Sequence, residues 1–199
     1  MKGCRPLNKT EINEVKKAFA GRWALRDRTL FILGIKTGFR VSELLSLTVG
    51  DVVDYAGRVA EHIEVKRMYM KRKRMSRSVI THPEAAEAIA EYVSWLAKKA
   101  LNHANAPLFP TSKGHAMNRK ECWLIIKRAS RVCGLQGRVA THSMRKTFAA
   151  GIYNYFLQQG EGVDALRNTS KALGHASVDS TDKYLSFKEE DIDKAVISI

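Results

Sequence analysis

The sequence predicts a mainly α-helical domain with one small antiparallel β-sheet. Apolar residues recur at helical spacing through most of the chain, and the pattern changes to short strand-like runs only between Val52 and Thr81. The 199 residues are enough to bury one substantial core. Because no internal repeat or linker interrupts the pattern, we expect residues 1–199 to form a single domain.

The N-terminal part predicts three helices. Asn8, with Glu11 three positions later, gives the first helix the pattern of a capping box. The second helix runs from about Trp23 to Lys36 and stops at Gly38, and a short third helix follows. Arg40 therefore lies at a turn between two helices, where packing on both sides can aim its side chain.

The middle of the chain predicts three strands. These are Val52–Val53, Ile63–Val65 and Ser78–Ile80, with a turn at Gly57-Arg58 after the first. Between the last two strands lies the basic run Lys66–Arg74, which we expect to form the tip of a hairpin.

Helical patterns then continue to the end of the chain. Pro83 suits a first helical position after His82, and the apolar stripe of that helix is Ala86, Ile89, Ala90, Val93 and Leu96. Asn118 with Glu121 opens the next helix, which ends at Gly134. The remaining helices are predicted at Ser143–Gln158, Val163–Leu173, Ser180–Leu185 and Phe187–Val196.

The composition indicates an anionic partner. Lysine and arginine outnumber the acids 34 to 20, which gives a formal net charge of +14, and such an excess favours a polymer such as nucleic acid. Cys4, Cys122 and Cys133 are an odd, widely spaced set with no secretory segment before them. We therefore expect a cytoplasmic protein with unpaired thiols.

Several classes of enzyme are disfavoured by missing motifs. The sequence contains no H-E-x-x-H, no acidic cluster spaced for a two-metal nuclease and no G-x-x-x-x-G-K-[ST] loop. We therefore expect no metal and no nucleotide cofactor.

The residue types present can supply a metal-free phosphoryl-transfer site. Such a site needs a nucleophile, cations for the non-bridging oxygens and an acid for the leaving oxygen. His142 and Arg145 are three residues apart and share one face if their segment is helical. Taken singly, Arg40 is more typical of a structural ion pair, His175 of a helix cap, and Tyr184 of a half-buried aromatic. For Glu43 we expect a structural hydrogen-bonding role.

Four motifs in order resemble the catalytic domain of tyrosine recombinases, the phage-integrase family. They are Thr37–Leu44, the basic hairpin, His142–Arg145, and Leu173–His175 with Tyr184 nine residues after His175. The resemblance extends from Leu7 to about Phe187. It implies site-specific DNA strand exchange through a 3′-phosphotyrosyl intermediate and a Holliday junction, without metal or ATP.

The resemblance also implies roles for individual residues. Arg40 and Arg145 would clamp the scissile phosphate, His142 and His175 would assist, and Tyr184 would be the nucleophile. A hairpin lysine would protonate the leaving 5′ oxygen. By register to Arg77 we assign this role to Lys71, with Lys73 as the alternative. The DNA contacts expected on and beside the hairpin are Arg67, Arg72, Lys73, Arg74 and Arg77.

The resemblance further implies a homotetramer on double-stranded DNA, in which the C-terminal segment Asp191–Ile199 can pass to a neighbouring protomer. The alternative is that this segment docks onto the core of its own protomer. Relatives often carry a separate N-terminal domain, and none precedes Leu7 here. The chain is therefore expected to be a minimal recombinase or a catalytic-domain fragment. Two alternatives stay open: a type IB topoisomerase-like nicking and closing enzyme, and a non-catalytic DNA-binding protein of the same fold. Integration, excision, inversion and resolution are not distinguished.

Overall fold

The structure is a computed structural model that describes residues 3–66, 76–160 and 162–174, together with Val178, Thr181 and Leu185. Packing divides the chain into two compact units, residues 1–148 and residues 149–199. None of the described helices combines the length and the apolar character needed to cross a bilayer. Within these residues the architecture is mainly helical with one two-stranded antiparallel sheet, which confirms the predicted fold class.

The first helix, α1 (Lys9–Ala18), begins at the predicted capping box. The Asn8 side chain accepts a hydrogen bond from the Glu11 N–H at 2.9 Å, and the Glu11 carboxylate accepts one from the Asn8 N–H at 3.0 Å. Two backbone donors at the start of the helix are thereby satisfied reciprocally.

The second helix, α2 (Ala24–Thr37), lies at the centre of the first unit. Leu30, Phe31 and Leu33 are fully buried, and almost every residue from Thr29 to Thr37 is inaccessible to solvent. Gly38 ends the helix in the left-handed region with φ 58°, as predicted. The short helix α3 (Val41–Leu44) begins three residues later.

The sheet consists of β1 (His62–Val65) and β2 (Arg77–Ile80), paired antiparallel with Val65 opposite Arg77. The prediction of a strand at Val52–Val53 is wrong. Thr48 donates hydrogen bonds from its backbone and its hydroxyl to the Asp51 carboxylate, each at 2.8 Å, and these close a 3₁₀ turn over Val49–Asp51. Beyond that turn only a single bridge forms, between Val53 and Val59.

Helix α4 (Pro83–Ala97) begins at the predicted proline and is capped by the His82 side chain. Its buried stripe is rotated from the predicted one, because Ala90 is exposed and Tyr92 is fully buried. The Tyr92 ring stacks against Phe109 at 6.3 Å, which turns this aromatic face of the helix inward. The buried residues are Ala85, Ala88, Ile89, Tyr92 and Leu96.

Three further helices complete the described chain. They are α5 (Arg119–Val132), which starts at the predicted Asn118 capping box, α6 (Thr141–Gln158) and α7 (Gly162–Leu173). Helix α6 starts two residues earlier than predicted, where the Ser143 hydroxyl accepts a hydrogen bond from the Ala140 N–H at 3.2 Å. The helices predicted at 180–185 and 187–196 fall almost entirely outside the described residues.

Candidate active site

Two glycines allow the start of α6 to pack directly on the end of α2, within the first unit. A Cβ at Gly34 would come within 2.6 Å of Met144 Sδ, and one at Gly38 within 2.3 Å of a Phe148 ring carbon. A larger residue at position 38 would clash with the Phe148 ring, and one at position 34 would displace the Met144 side chain. This close approach brings the segment with His142 and Arg145 to the turn that carries Arg40.

Arg40 is held at that turn by Glu43. The Arg40 N–H donates to Glu43 Oε2 at 2.8 Å, and the Arg40 guanidinium donates to Glu43 Oε1 at 2.8 Å. The Glu43 side chain is 2% exposed, whereas that of Arg40 is 37% exposed. Arg40 is thus anchored on one side and open to an incoming group on the other. The structural role expected for Glu43 is confirmed.

Arg145 lies deeper in the same site. It is 2% exposed, and its Nη1 donates a hydrogen bond to the Gly38 carbonyl. His142, one turn earlier on α6, is exposed. The segment is helical, as the prediction of a shared face required, and the two residues lie one turn apart on it with an exposed His142 and a buried Arg145.

Arg77 lies behind the turn rather than on the surface where a direct DNA contact was expected. It is 7% exposed, and its guanidinium donates to the carbonyls of Thr37 at 2.8 Å and Gly38 at 3.3 Å. Its charge also lies 5.0 Å from the centre of the Phe39 ring. The carbonyls at the end of α2 accept hydrogen bonds from the Arg77 guanidinium, and these bonds hold the side chain in the interior.

The four charged groups at this turn have strongly altered electrostatics. Burial alone would raise the pKa of Glu43, but the hydrogen bonds from Arg40 and the charges of Arg40 and Arg145 together hold it below its ordinary value. Burial, with the charge of Arg145 added, lowers the pKa of Arg77 to about 10. Three guanidinium groups face one carboxylate, so these side chains carry a formal excess of two positive charges. Such an excess favours an anionic ligand.

His142 is poised to be neutral at physiological pH. Although part of the side chain is exposed, the protein around the imidazole removes enough of its hydration to lower its pKa below the ordinary value, and the nearby charges of Arg145, Lys146 and Arg40 lower it further. A neutral imidazole can accept a proton or donate a hydrogen bond beside the arginines.

The other predicted site residues lie outside the described part of the chain. These are Arg67, Lys71, Arg72, Lys73, Arg74, His175 and Tyr184. Their roles therefore stay predictions. In the parts of the chain that are described, no three His, Cys, Asp or Glu side chains are grouped to hold a metal ion.

Sequence reasoning missed a cationic face on α5. The helix carries five basic residues and one acidic residue. Its buried positions Cys122, Ile126 and Ala129 are three or four residues apart and define the inner face. This spacing was a readable signal, because it leaves the basic residues on the outer side. We call this outer side the α5 face, and its exposed members are Lys120, Trp123, Leu124, Arg128 and Arg131.

Comparison with known proteins gives one family. The model of the phage integrase family matches residues 6–190. Tyrosine recombinase XerD of Corynebacterium glutamicum is 32% identical over 161 residues, which cover 80% of this chain and 48% of that relative. The probable integrase/recombinase YoeC of Bacillus subtilis is 27% identical and is covered to 91% of its length. The chain spans about half the length of the XerD and XerC relatives that it matches.

Solved structures of recombinases share the fold. XerA recombinase superposes with a TM-score of 0.74 at 22% identity, covering 100% of this chain and 66% of that chain. XerH recombinase in its post-cleavage complex with palindromic difH superposes with a TM-score of 0.71 at 22% identity, covering 98% of this chain and 53% of that chain.

Proposed function

The chain belongs to the phage integrase family, and on that premise we propose that it cleaves and rejoins DNA strands at specific sites through a 3′-phosphotyrosyl intermediate. The observation that carries the proposal is the arginine cluster. Arg40 and Arg145 converge on one turn, where Glu43 and the Gly38 carbonyl fix them. Two fixed guanidiniums suit the two non-bridging oxygens of a phosphodiester.

In this mechanism Tyr184 attacks the scissile phosphorus. A bond forms between the phenolic oxygen and phosphorus, and the bond from phosphorus to the 5′ oxygen breaks. The tyrosine proton passes to a base, for which neutral His142 is suited, and Lys71 gives a proton to the departing 5′ oxygen. Arg40 and Arg145 stabilise the charge on the phosphate throughout, while His175 assists at the same phosphate. Religation reverses these steps with a different 5′ hydroxyl.

Double-stranded DNA is the proposed partner. The α5 face and the basic segment between β1 and β2 would neutralise backbone phosphates, in keeping with the net charge of +14. The XerH neighbour was solved in a complex with its DNA substrate, which supports this partner. The hairpin residues Arg67, Arg72, Lys73 and Arg74 are proposed to contribute to the same contacts.

Strand exchange needs several active sites, so we include a homotetramer on DNA and a Holliday junction in the proposal. The C-terminal segment Asp191–Ile199 is proposed to link neighbouring protomers. The names of the relatives favour recombination over relaxation of supercoils and over binding without catalysis. The thiols of Cys4, Cys122 and Cys133 are unpaired, which suits the reducing cytoplasm expected from the sequence.

The proposal is tested by trapping the covalent intermediate. The chain is incubated, without magnesium, with a pool of nicked duplexes whose central segment is randomised, and adducts stable to detergent are recovered and sequenced. We expect a defined site, with protein attached to the 3′ end of the cleaved strand. The selected duplex then serves in every later assay.

Substitution of the nucleophile gives the decisive arm. Tyr184→Phe should form no adduct, because phenylalanine has no hydroxyl to attack phosphorus. Tyr55→Phe is the matched control, since Tyr55 is fully exposed on a turn, belongs to none of the four motifs and should react normally. An adduct with Tyr184→Phe, or none with the unmodified chain, would contradict the proposal.

A further inference from the structure

Arg77 is a charged residue at a buried position of a β-strand, where an apolar side chain is more usual. It lies at the first position of β2, opposite Val65, which is 1% exposed. A guanidinium in such a place loses most of its hydration, and a fold bears that cost only when other contacts offset it. Those contacts show what the residue is for.

Arg77 contacts the segment that carries Arg40 through its guanidinium. Its Nη2 donates to the Thr37 carbonyl at 2.8 Å, and its Nη1 donates to the Gly38 carbonyl at 3.3 Å. The same Nη1 lies 3.8 Å from Glu43 Oε2, and Glu43 is the partner of Arg40. Arg77 therefore ties the end of α2 to the start of α3.

Arg77 and Arg145 also share one acceptor. The Gly38 carbonyl receives hydrogen bonds from both guanidiniums, although the two arginines come from a strand and a helix that are far apart in sequence. A carbonyl with two lone pairs can accept both. Any shift of this carbonyl would move Arg145, and any shift of Glu43 would move Arg40.

From this geometry we infer that Arg77 is a positioning residue for the strand-cleavage reaction, acting through the Gly38 carbonyl and Glu43 on Arg145 and Arg40. It does not touch DNA in this role. The inference rests on the proposed function, since it assigns Arg77 to the support of the proposed phosphate clamp.

The test separates positioning from DNA contact and from general stability. Arg77→Met and Arg77→Lys are compared with Arg58→Met, which changes an arginine that is 75% exposed and pairs only across a turn with Asp54. For each full-length variant we would measure the melting temperature, the Kd for the selected duplex and the single-turnover cleavage rate at saturating DNA.

A positioning role predicts a loss of rate without a loss of binding. Cleavage by Arg77→Met should fall on the order of 10²-fold, the scale for misplacing groups that stabilise the transition state, while the Kd changes little. Arg77→Lys keeps the charge but cannot span both carbonyls, so it should bind DNA normally and cleave it slowly. Should Arg77→Met fail to fold, Arg77→Lys alone decides the matter by the same criterion. Arg58→Met should match the unmodified chain.

A double substitution provides the sharper criterion. If Arg77 acts through Arg40 and Arg145, Arg77→Met added to Arg40→Ala should cost less than the product of the two single effects. Independent, multiplying effects would overturn the inference, as would a normal cleavage rate in both Arg77 variants. Weaker binding with a shallower salt dependence and a normal rate at saturation would show a DNA contact instead. Failure of the unmodified chain to form the adduct would overturn the proposed function itself.

Discussion

Two groups of basic residues within residues 1–148 differ in what surrounds their charges. Around the turn after α2, Arg77 and Arg145 are 7% and 2% exposed, and backbone carbonyls and one carboxylate fix their guanidiniums. On the α5 face, Lys120, Arg128 and Arg131 project into solvent. The charged groups of basic side chains are thus held in place in one region and freely hydrated in the other.

This difference indicates separate roles for the two groups, one in the cleavage step and the other in the affinity for DNA. A charge that is fixed and shielded from water acts strongly on a nearby phosphate and needs no rearrangement as the transition state forms. An exposed charge is screened by salt and contributes roughly 0–1 kcal/mol to any one pairing, yet several together give strong binding to a polyanion. We therefore expect the buried group to set the cleavage rate and the α5 face to set DNA affinity.

Lys71 is an exception to this division of roles, because it belongs to a run of basic residues in the sequence and yet is proposed to take part in the chemical step. As the acid for the 5′ oxygen it should contribute on the order of 10²–10⁴-fold to cleavage. Lys71→Ala should cleave normal DNA slowly and recover on a duplex with sulfur at the bridging 5′ position, because a thiolate leaves without a proton.

Arg40→Ala is the control that should not recover on the sulfur-bridged duplex, because its loss affects the non-bridging oxygens. If Lys73→Ala is rescued and Lys71→Ala is equally defective on both duplexes, the acid is Lys73.

His142 gives a smaller effect that depends on pH. Since its pKa is lowered by burial and by the arginines, it stays neutral to below pH 6.5. The single-turnover cleavage rate should therefore hold down to below that pH and then fall by about tenfold per pH unit as His142 gains a proton. His142→Asn should be slow and should lack this acidic limb.

The same shift affects stability. A histidine with a lowered folded-state pKa contributes its full stability above the unfolded pKa, and that contribution is lost as the pH falls below it. His82→Asn is a control for the acidic limb of the cleavage rate, because this substitution keeps a side-chain cap on α4 and lies outside the site. It does not serve as a control for stability, since burial also lowers the pKa of His82. An acidic limb at or above pH 6.5, or one that persists in His142→Asn, would refute the assignment.

Helix boundaries were readable from the sequence because their causes are local. The pairs Asn8 with Glu11 and Asn118 with Glu121 each satisfy backbone donors within one turn of the residue that starts the helix. The strand predicted at Val52–Val53 failed for the opposite reason. Its apolar residues follow a 3₁₀ turn that is closed by the hydrogen bonds between Thr48 and Asp51. The β-propensity of Val52 and Val53 takes no account of this turn, which competes with a strand.

The site was only partly readable. The motifs identify Arg40, His142 and Arg145, and the structure brings these three into one region. The role of Arg77 could not be predicted, because its acceptors are carbonyls about 40 residues earlier in the chain. A basic residue next to a basic run is ordinarily exposed. Only the burial of Arg77 and its hydrogen bonds to the end of α2 show that this one is not.

The division between the buried arginines and the α5 face is tested most directly by comparing two variants. One is Arg145→Ala, and the other carries both Arg128→Gln and Arg131→Gln. For both we would measure the cleavage rate at saturating DNA and the dependence of the Kd on salt. Arg145→Lys is added because it keeps the charge and lacks the planar fork. The account predicts that both Arg145 variants lose on the order of 10²–10³-fold in rate. The salt dependence should be unchanged in Arg145→Lys and should fall in Arg145→Ala by no more than the one contact to the scissile phosphate. The α5 variant should keep its rate and lose about 0.9 in log–log slope per phosphate contact removed. A slow α5 variant at saturating DNA, beside Arg145 variants that cleave normally, would contradict it.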